Sequence, residues 1–246
     1  MFKLLLNGLC DLVYPPNCFL CKKNLTTKTP TEKLCPGCLE SIRFNIPPFC
    51  QKCSRHLGKD TDKPKCRGCL KTDPQFDFAW GACFYTEPLR RLIHQYKYNQ
   101  KTSLRHPLAN LMASFIAQYH LDINQFDALV PIPLYPTQLR ERGYNQAQLL
   151  TQNLSDIFEI PVLHSNLIKI RHTKHQTMLN EKERWTNIHG ALRIKNSKDI
   201  RGKSILIIDD LLTTGATVSQ AAHILKKSGA KTVGVFTLAI TISNSP

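Results

Sequence analysis

From about residue 76 onward the apolar positions fall into two kinds of run. Leu89, Leu92, Ile93 and Tyr96 recur at helical spacing within residues 88–98, and Leu108, Leu111, Met112, Phe115 and Ile116 do so within 107–120. Short continuous apolar stretches predict strands at 78–85, 126–132, 167–170, 204–208 and 232–239. The unbroken ILII and VGVF runs among them suit strands buried on both faces. Helices predicted over 137–158 and 217–228 separate the later strands, the second stopped by Ser228-Gly229-Ala230. Such alternation predicts an α/β fold: a mostly parallel sheet flanked by helices.

Upstream of residue 75 neither period holds, and cysteine takes over. CFLC (Cys18, Cys21), CPGC (Cys35, Cys38), CQKC (Cys50, Cys53) and CRGC (Cys66, Cys69) form two copies of one unit, 18–38 and 50–69. Two-residue spacing lets both sulfurs of a pair reach one metal at ~2.3 Å, and two pairs complete a tetrahedron. Two structural, coordinatively closed zinc sites are expected. Disulfides fit poorly without an export signal, and a redox CxxC needs one pair near a βαβ unit rather than four in tandem. Pairing within each unit closes the shorter loops, and an interleaved arrangement stays open. The expected organisation is a double zinc-ribbon domain over 1–75 and an α/β domain over 76–246.

Composition narrows the class. In 246 residues, 42% hydrophobic and 21% charged content describes a globular chain with a core, not a disordered one. No apolar run approaches the ~20 residues needed to cross a bilayer. The N-terminal MFKLLLNGLCDLV is interrupted by Asn7 and Asp11 and lacks a cleavage signature, so a short amphipathic helix packed on its own domain and a cytoplasmic protein are expected. The formal charge of +15 falls once eight thiolates surround two Zn²⁺ but stays positive, which admits polyanionic partners. Lys22, Lys23, Lys52, Arg55, Lys63, Lys65 and Arg67 surround the cysteine pairs, either as solvated ribbon surface or as a nucleic-acid or partner contact.

Against that basic background, Ile205–Thr217 reads ILIIDDLLTTGAT. Ligands of open α/β sheets bind beyond the carboxyl ends of strands, where Asp209 and Asp210 stand. The loop that follows combines hydroxyls, one glycine and a helix start, a cradle for phosphate without the lysine of a nucleoside-triphosphate loop. Adjacent carboxylates need donors or a cation, and sugar hydroxyls and Mg²⁺ supply both.

This stretch resembles the ribose-phosphate signature of type I phosphoribosyltransferases. The resemblance implies 5-phosphoribosyl-1-pyrophosphate (PRPP) with Mg²⁺ as ligand, Asp209 and Asp210 on the ribose hydroxyls, and Thr213, Thr214, Gly215, Ala216 and Thr217 on the 5′-phosphate. The order of the whole chain, cysteine pairs, then VPIPLYPTQLRERGYNQA (130–147), then RHTKHQTMLNEKERWTNIHGAL (171–192), then the signature, resembles the ComF family, including its GntX-like members. That resemblance implies a role in natural competence and import of single-stranded DNA.

It also implies a pyrophosphate-binding group of Pro133, Leu134, Arg140, Arg142 and Lys97. Arg171 and Lys174, in a basic flap with His172, His175, Gln176, Lys182 and Arg184, join the two aspartates as candidate catalytic residues. Relatives that deprotonate a purine often carry an acid where Thr213 stands. Two readings therefore remain: a phosphoribosyltransferase of unassigned acceptor, or a catalytically silent PRPP-fold module that binds single-stranded DNA or a translocation partner.

Overall fold

The computed structural model describes residues 17–25, 33–58, 63–173 and 181–242; the segment 1–13, expected as an amphipathic helix, lies outside them. The continuous apolar runs form the centre of the molecule. Strands β1 (Phe78–Phe84), β2 (Ala128–Pro131), β5 (Ser204–Leu212) and β6 (Thr232–Ile240) make one sheet in the order β1-β6-β5-β2, with every pairing parallel. Two shorter strands, β3 (Leu167–Lys169) and β4 (Leu192–Ile194), pair antiparallel as a separate two-stranded sheet.

The run ILII is continuous because the sheet is covered on both sides. Leu206 and Ile208 pack into a core with Tyr96, Met112, Phe115 and Leu150 from helices α3 (Leu89–Tyr98), α4 (Arg105–Gln118) and α6 (Gln146–Phe158). Ile205 and Ile207 face the other way, onto Val218, Ala221 and Leu225 of α8 (Ala216–Lys227). Alternate side chains of one strand thus enter opposite layers.

Three expectations need correction. The helix expected over 137–158 is two helices, α5 (Pro136–Arg142) and α6, because Gly143 turns the chain at φ 80° and Asn145 caps the second, accepting from the Ala147 N–H at 3.0 Å. The strand expected to stop at Ile208 continues to Leu212, since β6 runs alongside it to Ile240 and keeps pairing. The strand at 167–169 stays outside the parallel sheet, held by β4, for which no strand was expected. A further helix, α7 (Glu181–Ile188), precedes β4.

The cysteine-rich region packs onto both layers. Its two short helices, α1 (Pro36–Glu40) and α2 (Arg67–Thr72), each begin directly after a cysteine. The main chain of 43–45 lies beside β1: the Asn45 N–H donates to the Ala82 carbonyl and the Phe84 N–H to that of Arg43, both at 2.9 Å. At the far edge, the Leu129 N–H donates to the Pro161 carbonyl at 2.9 Å and the Leu163 N–H to that of Leu129 at 3.0 Å. Among the described residues, no helix is long and apolar enough to cross a membrane.

Candidate functional site

Asp209 and Asp210 occupy the C-terminal half of β5, within the pairing rather than beyond it, with Asp209 opposite Thr237. Asp210 is buried. The Lys97 ammonium, at the end of α3, lies 2.5 Å from Asp210 Oδ2, and Gln146 Nε2 donates to Oδ1 at 3.3 Å. Two tyrosines set this meeting. The Tyr96 hydroxyl donates to the Gln146 carbonyl at 3.0 Å, and that of Tyr144 donates to the Tyr96 carbonyl, so the end of α3 and the start of α6 are tied together.

The two acids are electrostatically unlike. Burial works against the Asp210 charge, but the Lys97 ammonium outweighs it and holds the carboxyl below the ordinary range. Burial, and then the neighbouring Asp210 charge, push Asp209 well above it. Burial also opposes the charge of Lys97, which the ion pair nevertheless keeps above the ordinary lysine value. Asp209 receives the Asp210 N–H at 2.8 Å.

After Leu212 the chain turns through Thr213, Thr214 and Gly215 into α8. Gly215 sits at φ 80° as the N-cap, a left-handed conformation that disfavours side chains, and the Thr214 hydroxyl accepts the Ala216 N–H at 3.4 Å. A helix start of this kind favours an anion.

A cleft of about 200 Å³ lies over the acids; of the loop it takes in Thr213 and Thr217, whereas Thr214, Gly215 and Ala216 are not among its lining residues. It is lined by Asp209, Asp210, Thr213 and Thr217, by Lys97 and Tyr98, by Pro133, Leu134 and Arg142, and by Lys169, Thr173 and Arg184. Arg142 donates to Gln146 Oε1 at 2.5 Å and stacks over the Tyr98 ring at 5.1 Å. Arg140, on the same short helix, is exposed and does not line the cleft. Arg171 is also exposed and donates to the carbonyls of Asn187 and His189 at 2.9 and 2.6 Å. Lys174, His175 and Gln176 lie outside the described residues. Lys169 was absent from the sequence-based group; burial lowers its pKa, against the pull of the Asp209 charge. A lysine inside the apolar LIKI run was the available signal.

The eight paired cysteines gather in sequential sets, Cys18/Cys21/Cys35/Cys38 and Cys50/Cys53/Cys66/Cys69, the sulfurs of each within 4.8 Å of one another. Tetrahedral Zn–S bonds of ~2.3 Å place sulfurs ~3.8 Å apart. The Cys21–Cys35 and Cys53–Cys66 sulfurs are 3.6 Å apart. Backbone N–H groups of Cys35 and Cys66 point at the sulfurs of Cys18 and Cys50, at 3.5 and 3.2 Å, as suits thiolates. The donor sets fit zinc and leave no ligand position for chemistry.

The second cysteine unit reaches the loop directly. Arg55 Nη2 donates to the Thr213 carbonyl at 2.6 Å, and its Nε to that of Thr241, just past β6, at 3.1 Å. Between this unit and the loop lies a second cleft, of about 300 Å³, which shares Thr213 and Arg184 with the first.

Comparison with known proteins agrees with this architecture. Residues 104–244 match the phosphoribosyl transferase domain and 9–70 the double zinc ribbon domain. The chain is 32% identical to competence protein F of Haemophilus influenzae over 90% of its own length and 96% of that protein's. It is 28% identical to the DNA utilization protein YhgH of Salmonella typhi (94% and 100%) and 26% identical to competence protein ComFC of Bacillus subtilis (85% of each). This chain belongs to the ComF family, with a type I phosphoribosyltransferase fold behind an N-terminal double zinc ribbon.

Proposed function

We propose that the chain binds PRPP with Mg²⁺ in the cleft over Asp209 and Asp210 and transfers its phosphoribosyl group to an acceptor during the cytoplasmic handling of imported single-stranded DNA. The observation that carries this reading is the unequal acid pair beside a hydroxyl-bearing loop that starts a helix. Asp210 is already neutralised by Lys97, whereas Asp209, which accepts the Asp210 N–H, is pushed well above the ordinary range and would bear its charge more readily beside hydroxyls or a hard cation. The 2′- and 3′-hydroxyls of a ribose and Mg²⁺, which takes few carboxylates and shares phosphate oxygens, meet that need. Bound there, Mg²⁺ would neutralise pyrophosphate charge.

In this reading Thr213–Thr217 hold the 5′-phosphate, and Lys97, Pro133, Leu134 and Arg142 face the pyrophosphate. Breaking the C1–O bond leaves the pair of electrons on pyrophosphate, which these cations stabilise, while the acceptor's lone pair forms the new bond to C1. In the same reading Arg171 and Lys174 add positive charge that favours the leaving pyrophosphate. The zinc sites are structural, and the division between the two domains falls near residue 75.

A second reading, a silent PRPP-fold module that binds single-stranded DNA, is favoured by Thr213: it offers a hydroxyl where a purine-deprotonating relative has a carboxylate. The names of the relatives, competence protein and DNA utilization protein, support a DNA-linked role under either reading. Titration of the protein with PRPP and Mg²⁺ tests the site. Saturable binding that disappears in the Asp209→Ala/Asp210→Ala double variant supports it; no saturable binding by the wild type overturns it. Release of pyrophosphate with a panel of nucleobases then separates the enzyme from the silent module.

A further inference from the structure

Arg55 does two jobs at once. Its carbonyl accepts the Cys50 N–H at 2.8 Å, and the preceding Ser54 N–H donates back to the Cys50 carbonyl at 2.8 Å, so the turn that brings Cys50 and Cys53 together also fixes the Arg55 backbone. Buried Asn45 holds that turn against the sheet, donating to the Ser54 carbonyl at 2.7 Å and to that of Gly81 at 3.0 Å. From this anchored position the guanidinium forks. Besides the Thr213 and Thr241 carbonyls it reaches the Thr241 hydroxyl at 3.3 Å, while the Thr241 N–H donates to the Leu212 carbonyl at 3.1 Å.

An anion-binding loop must turn its N–H groups inward and give its carbonyls partners elsewhere. A trans peptide unit is planar, with C=O and N–H on opposite sides. Holding the Thr213 carbonyl against Arg55 therefore directs the Thr214 N–H away from the ribbon. Phe76, 1% exposed, closes the same corner: its Cε1 lies 3.8 Å from where a Gly215 side chain would begin, and Lys52 sits 5.8 Å over its ring. The described part of the first cysteine unit lies elsewhere: its Cys18 joins the buried cluster that holds Tyr96, Leu108 and Phe115, in the opposite layer.

We infer that Arg55 is a positioning residue for the phosphate loop, through which the second four-cysteine unit, and not the first, sets the affinity of the site for PRPP. The inference rests on the PRPP reading above. Lysine cannot replace this arginine, because an ammonium lacks the fixed fork that serves two carbonyls in one plane.

The test uses full-length wild type, Arg55→Ala and Arg55→Lys, with zinc counted by metal analysis and PRPP–Mg²⁺ affinity measured by calorimetry. Both variants should keep their zinc yet bind PRPP about tenfold or more weakly, the loss expected for charge-assisted hydrogen bonds. Guanidinium ion at tens of millimolar should restore binding to Arg55→Ala, while equal ammonium should not, a response that loss of folding would not give. If Arg55→Ala loses zinc or fails to fold, Arg55→Lys decides, since it keeps charge and stem. Wild-type affinity in a zinc-loaded Arg55→Lys overturns the inference, as does undiminished affinity in Arg55→Ala. No PRPP binding by wild type overturns the proposed function itself, a different outcome from wild-type binding that the Arg55 variants share.

Discussion

Lys97 and Asp210 form a buried ion pair at 2.5 Å, with the lysine side chain 19% and the aspartate side chain 3% exposed. One member comes from the end of a helix and the other from the middle of the sheet. Removing the cation alone strands a buried carboxylate beside a second one.

Lys97→Met should therefore lower stability by about 3–5 kcal/mol, the usual cost of breaking a buried pair from one side. Adding Asp210→Asn should recover much of that loss, since no unpaired charge remains. Urea denaturation of wild type, single and double variants measures both; a double variant no more stable than Lys97→Met would contradict the pairing.

The acid pair also fixes a pH dependence. Asp210 is held below the ordinary carboxylate range, so its stabilisation is present above that range and is lost as pH falls through its folded value. Lys97 is held above 10.5, so its contribution lasts through neutrality and is lost only as pH rises past that value. Asp209 runs oppositely: raised in the fold, it favours stability at low pH and opposes it once it ionises. Asp209→Asn should thus raise the melting temperature of the ligand-free protein at pH 8 while doing little at pH 4. Its PRPP–Mg²⁺ affinity should be weaker than wild type and lose the rise with pH that ionisation of Asp209 produces.

Gly215 tests the loop without touching charge. Alanine there meets nothing nearer than 3.8 Å, so the cost is conformational, at φ 80°. Gly215→Ala should cost about 1–2 kcal/mol of stability and weaken PRPP binding. Thermal denaturation beside calorimetric titration reads both effects, and a variant as stable as wild type would show that the loop tolerates side chains.

Metal removal should divide the two cysteine units. Cys53 is 5% exposed within the layer that also holds Phe76, Ile205 and Ile207, whereas Cys21 is exposed. Cys53→Ser should lower the melting temperature more than Cys21→Ser, with each variant losing one zinc per chain by metal analysis. Equal destabilisation would mean that burial does not govern the cost.

Some of this was readable from local chemistry alone. A buried strand leading into paired acids and TTGAT is contiguous in the chain, and so are the four cysteine pairs, so one sequence carries both signals. Other parts depend on distant partners. Apolar spacing ran unbroken through Gly143, and only the capping by Asn145 shows that the helix stops and restarts. Arg55 read equally as solvated ribbon surface or as a nucleic-acid or partner contact, because the Thr213 carbonyl that it meets lies 158 positions away in sequence. Lys169 sits in a strand too short to show its neighbours. Conversely, nothing in the local sequence shows that Arg140 stands outside the cleft lining or that Arg171 meets the carbonyls of Asn187 and His189.

The hydrogen bonds of 43–45 along β1 bear on how the protein can be handled. β1 is an edge strand, and an edge left bare invites pairing with any exposed strand. A fragment beginning near residue 75 would keep the loop and acids but lose the segment that blunts this edge, together with the cysteines packed in both layers. Such a truncation would be sticky and prone to self-association, so the ribbon is better regarded as a built-in solubility guard than as a detachable appendage.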